Sequence, residues 1–200
     1  MGGMMSSLWG FWFGSREYKC LMVGLDNAGK TTILYKMHLG EVVVSQPTMG
    51  SNVEMVKYKN IHLEVWDLGG QQSLRPFWST YFKNTDAVIM VVDSTDRARV
   101  GVTKSELFNI LESEELAQTP ILVYANKQDL KDAMGVEELT ASLSLHSIKN
   151  HDWHIQACCA LTGVGLLDGL GVSSGDLSGS TERSTRVSLT SPRKPDADQE

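Results

Sequence analysis

Apolar positions along the chain alternate between strand-like runs and helical spacing. Residues 18–23 (Tyr-Lys-Cys-Leu-Met-Val) form a short apolar run that enters a glycine-bearing loop, which predicts a buried strand. Residues 30–39 follow with Ile33, Leu34 and Met37 on one helical face. Glu41 to Gly50 has no helical period and contains Pro47, which predicts a loop. Residues 51–58 alternate, with Val53, Met55 and Lys57 on one face, and 61–67 alternate through Ile61, Leu63 and Val65. Lys59-Asn60 between them suits a tight hairpin. Residues 74–83 predict a short helix bearing Leu74, Phe77, Trp78 and Tyr81. A continuous apolar strand, Ala87 to Val92, ends at Asp93, and residues 100–112 predict a helix. Ile121 to Ala125 is another buried strand, and 136–145 predict a helix on Val136, Leu139 and Leu143. His154 to Cys159 gives a last strand, and Val164 to Leu170 starts a last helix.

Strands alternating with helices predict an α/β fold, a mainly parallel sheet covered on both faces. Ligands of such sheets sit at the carboxyl ends of the strands. Each polar cluster considered below lies at such an end.

Composition adds limits to this picture. Of the 200 residues, 42% are hydrophobic and 21% charged, enough for a real core. A net charge of −6 argues against a general nucleic-acid binder, which needs a basic stripe. No run approaches the roughly 18 apolar residues of a spanning helix. Cys20, Cys158 and Cys159 are odd in number and two are adjacent, which suits a reducing, cytoplasmic setting better than a disulfide framework. The ends differ from the middle. Residues 172–200 carry seven serines and three threonines with five acids and four bases, too little apolar surface to offset ordering entropy. That predicts three parts: an amphipathic segment at 1–15, a folded domain at 16–171 and a disordered polar tail at 172–200.

Gly24-Leu25-Asp26-Asn27-Ala28-Gly29-Lys30-Thr31 fits G-x-x-x-x-G-K-[ST] without a mismatch, between a predicted strand and a predicted helix. Glycines let the backbone curl its N–H groups toward phosphate oxygens, and the helix start offers its positive end to the same anion. Lys30 would reach the β- and γ-phosphates, and the Thr31 hydroxyl would bind Mg²⁺. Asn126-Lys127-Gln128-Asp129 follows the strand 121–125. A carboxylate there can accept from guanine N1–H and its 2-amino group, donors that adenine lacks. Combined with the phosphate loop, this selects GTP over ATP. Trp66-Asp67-Leu68-Gly69-Gly70-Gln71 ends the strand 61–67. Asp67 would hold Mg²⁺ through water, Gly70 would offer its N–H to the γ-phosphate, and Gln71 would orient the attacking water. Thr48 would complete the Mg²⁺ shell when γ-phosphate is present. Residues 40–50 contain no Arg or Lys, so no arginine finger is available there and intrinsic hydrolysis should be slow until a partner supplies that charge.

Met1-Gly2-Gly3-Met4-Met5-Ser6 fits the N-myristoylation pattern, with Gly2 as acceptor. Met5, Leu8, Trp9, Trp12 and Phe13 then fall on one apolar stripe. One myristoyl chain binds membranes only marginally, and the stripe supplies the second signal. No basic region precedes the apolar run, which counts against a signal peptide. The five histidines show no ligand spacing.

Taken together, these segments resemble the ADP-ribosylation-factor (Arf) family of small GTPases. The resemblance covers about residues 1–170 and rests on GLDNAGKTT, PTMGSNVE, WDLGGQ, NKQD and CCALTG. Ser51 and the run WHIQACCALTG look most like the fifth Arf-like subgroup. The resemblance implies a six-stranded Ras-like fold in which Thr32 also lies in the phosphate site. It implies a GDP/GTP switch that recruits effectors, such as tethering complexes, to Golgi membranes, acting as a monomer with an exchange factor and an activating protein. It also implies that Cys159-Ala160-Leu161 lies near the guanine, where a backbone N–H reads O6. In the family, GTP makes the strands at 51–58 and 61–67 slide and displaces the amino-terminal helix onto the membrane. A two-residue slide keeps side chains on their faces.

Two departures stand out. Gln72 occupies the place where the family usually has an acid. More seriously, the last helix stops near Gly171, where Ser173-Ser174-Gly175 begins the polar tail. Losing three or four buried side chains at roughly 1.5–3 kcal/mol each removes about 5–10 kcal/mol, close to a domain's whole stability. The expected function is therefore a nucleotide-dependent GTPase switch. A second reading is a truncated interaction module that holds nucleotide weakly or not at all. A third, a P-loop ATPase or nucleotide kinase, is disfavoured by Asn126 and Asp129.

Overall fold

The computed structural model describes residues 17–43, 45–58 and 61–170, with Ile61 described by its backbone alone. The amino-terminal stripe, Gly2, the hairpin residues Lys59-Asn60 and the 172–200 tail lie outside the described residues. Six strands form one sheet: β1 (Glu17–Val23), β2 (Ser51–Tyr58), β3 (Ile61–Leu68), β4 (Ala87–Asp93), β5 (Ile121–Asn126) and β6 (Trp153–Ala157). Their order is β2-β3-β1-β4-β5-β6. β2 pairs antiparallel with β3, and every other pairing is parallel. Helices α1 (Lys30–Leu39), α2 (Val100–Leu111), α3 (Val136–Ser142) and α4 (Leu166–Gly169) connect or follow the strands.

The continuous apolar strands are explained by cover on both faces, since successive side chains point to opposite sides. In β1, Cys20 and Met22 pack with Ile33 and Leu34 of α1 and Leu166 of α4. Leu21 and Val23 face the other way, toward Trp78, Leu107 of α2 and Leu139 of α3.

The structure sharpens three expectations. Val53, Met55 and Lys57 do share a face of β2, but Val53 is 38% exposed and Lys57 is exposed. The buried position is Val56, with Tyr58 packed against the same cluster. β2 is an edge strand, so alternation alone could not tell which face meets α1. Residues 75–81 form a 3-10 helix, not an α-helix, with Trp78 buried and Phe77 61% exposed. Pro76 in its first turn and the short span favour the tighter winding. The helix expected at 136–145 ends at Ser142. Ser144 turns left-handed (φ +55°), and a 3-10 turn follows at Leu145–Ser147.

Candidate nucleotide and metal site

All the predicted polar clusters meet at the carboxyl edge of the sheet. Parallel register brings Met22 of β1 beside Asp67 of β3, and Asp93 of β4 beside Asn126 of β5. The loop between β1 and α1 curls at its glycines and at Asn27, which is left-handed at φ +63°. Gly24 has φ +144°, and a Cβ there would lie 2.2 Å from Val91 O. Gly29 has φ +94°, and its Cβ would meet Asn126 Nδ2 at 2.4 Å. Any larger residue at either position would clash.

Inside this curl the Lys30 ammonium donates to Gly24 O and Leu25 O, each at 3.0 Å. Lys30 is only 6% exposed. Burial lowers its pKa, and the nearby Asp67 and Asp26 carboxylates offset this only in part. A desolvated cation behind backbone N–H groups is a ready partner for a polyanion. A cavity of about 500 Å³ opens in front of it. Asp26, Asn27, Gly29, Lys30, Thr31, Thr32, Thr48, Gly70 and Gln71 all line it, as do Ser45, Gln46 and Pro47 of the loop before β2. Leu25 and Ala28 are buried, and their carbonyls accept from Lys30 and Asn126. Gln71 O accepts from the N–H groups of Leu74 (2.9 Å) and Arg75 (3.3 Å), which turns the chain into the 3-10 helix.

Three oxygen side chains converge beside the cavity. Thr31 Oγ1 donates to Asp67 Oδ2 at 2.5 Å and lies 3.0 Å from Thr48 Oγ1. Thr48 Oγ1 reaches the same carboxylate oxygen at 3.3 Å. Asp67 is fully buried, and burial raises its pKa against the hydrogen bond from Thr31 and the charge of Lys30. Among the described residues its Oδ1 has no hydrogen-bond partner. An orphaned buried carboxylate oxygen beside two hydroxyls is a hard-oxygen donor set, which fits Mg²⁺ that keeps waters and phosphate oxygens in its shell.

At the other end, Asn126 works as a tie. Its Nδ2 donates to Ala28 O at 2.8 Å, and its Oδ1 accepts from the Ala160 N–H at 2.9 Å. One buried amide thus joins the phosphate loop to the loop after β6. The Cys159 N–H donates to Val164 O, so two of the three N–H groups in the stretch 159–161 are already engaged within the protein. Lys127 is held left-handed (φ +67°), and its ammonium donates to Asp93 Oδ2 at 2.6 Å. Asp129 is exposed in the same loop.

Sequence reasoning missed two guanidinium groups. Arg75 and Arg99 approach Asp26 from the 3-10 helix and the start of α2, with Nη to Oδ1 distances of 3.6 and 3.0 Å. Neither belongs to a motif or an apolar period, and only the fold brings them to the phosphate loop.

Comparison with known proteins finds relatives along most of the chain. Residues 3–175 match the ADP-ribosylation factor family. A Dictyostelium discoideum protein named ADP-ribosylation factor-like protein 5 is 60% identical over 173 residues, covering 85% of this chain and 94% of that protein. ADP-ribosylation factor-like protein 5A of Mus musculus is 54% identical over 170 residues, with the same coverage. Among solved structures, the Arl6 BBS3 small GTPase from Trypanosoma brucei with the bound nucleotide analogue GppNp superposes with a TM-score of 0.72. It shares 36% identity over 77% of this chain and 93% of that one.

Proposed function

Because the chain belongs to the ADP-ribosylation factor family of small GTPases, we propose that it is a membrane-recruited switch whose GTP-bound form engages trafficking effectors. GTP binding and hydrolysis come with the family. The finer assignments start from the residues. Main-chain groups from Gly24 to Gly29 cradle the phosphates, while the Lys30 ammonium and the hydroxyl-bearing Thr31 and Thr32 meet them at the helix start. Thr31, Thr48 and Asp67 would hold Mg²⁺, which would supply positive charge to the phosphates. Gly70 gives its N–H to the γ-phosphate, and Gln71 orients water in line with the bond to be broken. Asp129 reads the purine, accepting from N1–H and the 2-amino group, while Asn126 and Lys127 hold the loops around it and Cys159-Ala160 close over it.

The observation that carries this reading is the convergence of Thr31, Thr48 and the orphaned Asp67 carboxylate oxygen beside the Lys30 curl. It also suits a switch, because Thr48 comes from the loop before β2 and can complete the set only when that loop is drawn in. Hydrolysis is slow alone, since residues 40–50 lack Arg and Lys, and Arg75 and Arg99 are already paired with Asp26. An activating protein then supplies the missing charge, and an exchange factor reloads GTP. The membrane part rests on Gly2 and the apolar stripe at 5–13, and the Golgi part on the family resemblance alone.

Fluorescent GTP titrated onto the full chain with Mg²⁺ tests the reading. Nanomolar affinity is the expected result. Micromolar or absent binding would favour the truncated interaction module.

A further inference from the structure

Two side chains of the 3-10 helix reach back to the loop that follows β3. Trp78 Nε1 donates to Gly69 O at 3.0 Å, and Arg75 Nε donates to Gly70 O at 2.9 Å. These carbonyls belong to the consecutive peptide planes that flank the Gly70 Cα. In a trans peptide the N–H points away from the C=O of the same plane. The Trp78 contact therefore sets the direction of the Gly70 N–H, and the Arg75 contact sets that of the Gln71 N–H.

Gly70 is also pressed onto the phosphate loop. A Cβ there would lie 2.4 Å from Gly24 O and 2.5 Å from Asp26 N. The Asp26 N–H donates to Gly70 O at 3.2 Å, so Gly70 O receives from the phosphate loop and from Arg75 together.

Arg75 is itself held. Its side chain is 9% exposed, with Nη1 3.4 Å from Glu106 Oε1 of α2 and Nη2 3.6 Å from Asp26 Oδ1. Arg99 shares Asp26 and is braced by Asp96 at 2.6 Å. A planar guanidinium with donors in a fixed fork can serve Gly70, Glu106 and Asp26 at once, which a lysine ammonium at the end of a flexible stem cannot.

We propose that Arg75 is a positioning residue for the terminal phosphate of GTP: anchored by Glu106 and Asp26, it fixes the Gly70–Gln71 peptide, and with Trp78 holding the preceding plane the loop presents the Gly70 N–H and Gln71 to the γ-phosphate. This rests on the roles given to Gly70 and Gln71 under Proposed function. The device acts only on the triphosphate, because GDP has no group for Gly70 to meet. Losing it separates the two nucleotides, whereas a general loosening of the fold weakens both.

The test compares Arg75→Ala, Arg75→Lys and Glu106→Gln with the unaltered chain. GDP affinity, affinity for a non-hydrolysable GTP analogue and single-turnover GTP hydrolysis are measured with Mg²⁺. Arg75→Ala should lower the analogue-to-GDP affinity ratio about tenfold, the order of one charge-assisted hydrogen bond. It should slow hydrolysis by a similar factor and leave GDP affinity within about twofold. Arg75→Lys keeps the charge without the fork and should resemble the alanine variant. Glu106→Gln should fall between. If Arg75→Ala does not fold, Arg75→Lys carries the same expectation. An unchanged ratio and rate, or equal losses for both nucleotides, would overturn the inference alone. An unaltered chain that binds neither nucleotide would overturn the functional reading and this inference with it.

Discussion

Thr31 Oγ1 and Asp67 Oδ2 lie 2.5 Å apart, joining the first turn of α1 to the end of β3. The bond ties the phosphate loop to the strand that leads into Gly69, Gly70 and Gln71. If these two oxygens hold Mg²⁺ with Thr48, removing the hydroxyl should weaken the metal and leave the fold intact. Thr31→Ala should speed nucleotide release in millimolar Mg²⁺ by about 10–100-fold, the order of one hydrogen bond to a charged group. Release in EDTA should be nearly unchanged. Stopped-flow release of a fluorescent nucleotide with and without Mg²⁺ reads both.

Asp93 and Lys127 form the corresponding tie at the base end. Burial alone would push the Asp93 carboxyl up, but hydrogen bonds from Lys127 and Thr95 and the Lys127 charge outweigh it, so the net shift is downward. A lowered folded-state pKa means that the pairing stabilises the chain above the ordinary value of 3.8 and is lost as pH falls through the lowered one. Asp93→Asn should therefore flatten the acid limb of the stability curve below about pH 4. It should also raise the release rates of GDP and GTP several-fold and by equal factors, unlike Arg75→Ala. Denaturant melts from pH 3 to 7 and release kinetics check the two effects separately.

The described part of the last helix is a single turn. Tyr124 Oη donates to Leu166 O at 2.5 Å, and Gly169 lies against the Tyr124 ring. In the sequence the polar run Ser173-Ser174-Gly175 follows, and on that ground we propose that the domain depends on its ligand for stability. At 1,000 times its Kd a nucleotide contributes about 4 kcal/mol. Stripping it with EDTA should lower the melting temperature by about 8–16 °C. Equal melting temperatures with and without nucleotide would contradict that dependence.

Membrane recruitment makes a separate prediction. With Gly2 acylated, the GTP-loaded chain should float with liposomes and the GDP-loaded chain should remain largely in solution. Gly2→Ala should abolish flotation, because one apolar stripe without the acyl chain is too weak an anchor. Flotation of Gly2→Ala at the unaltered level would remove the lipid from the account.

Much of this molecule is legible in its sequence because the phosphate loop, Asp67 and the 126–129 stretch are local patterns tied to particular strand ends. β4 and β5 are equally legible, since unbroken apolar runs mark strands covered on both faces. Less is legible where tertiary context decides. The alternation of β2 gives two faces, but only contact with α1 selects Val56 as the buried one. The apolar residues of 74–83 fit a helix, yet Trp78 is drawn in to donate to Gly69 O while Phe77 is left exposed. Arg75, Arg99 and Asp26 lie far apart in sequence, so no spacing rule could join them. Asn126, expected to meet the base, turns both ends of its amide to the protein main chain.

The central claim is that a loop curled around Lys30 grips a triphosphate whose purine is recognised by the Asp129 carboxylate. Asp129→Asn tests it most directly, by competing GTP against XTP for the variant and the unaltered chain in Mg²⁺. A carboxylate that accepts from N1–H and the 2-amino group should, once replaced, lose about a thousandfold or more in GTP affinity and gain preference for XTP. If the variant still prefers GTP by the original margin, Asp129 does not read the base and the account fails.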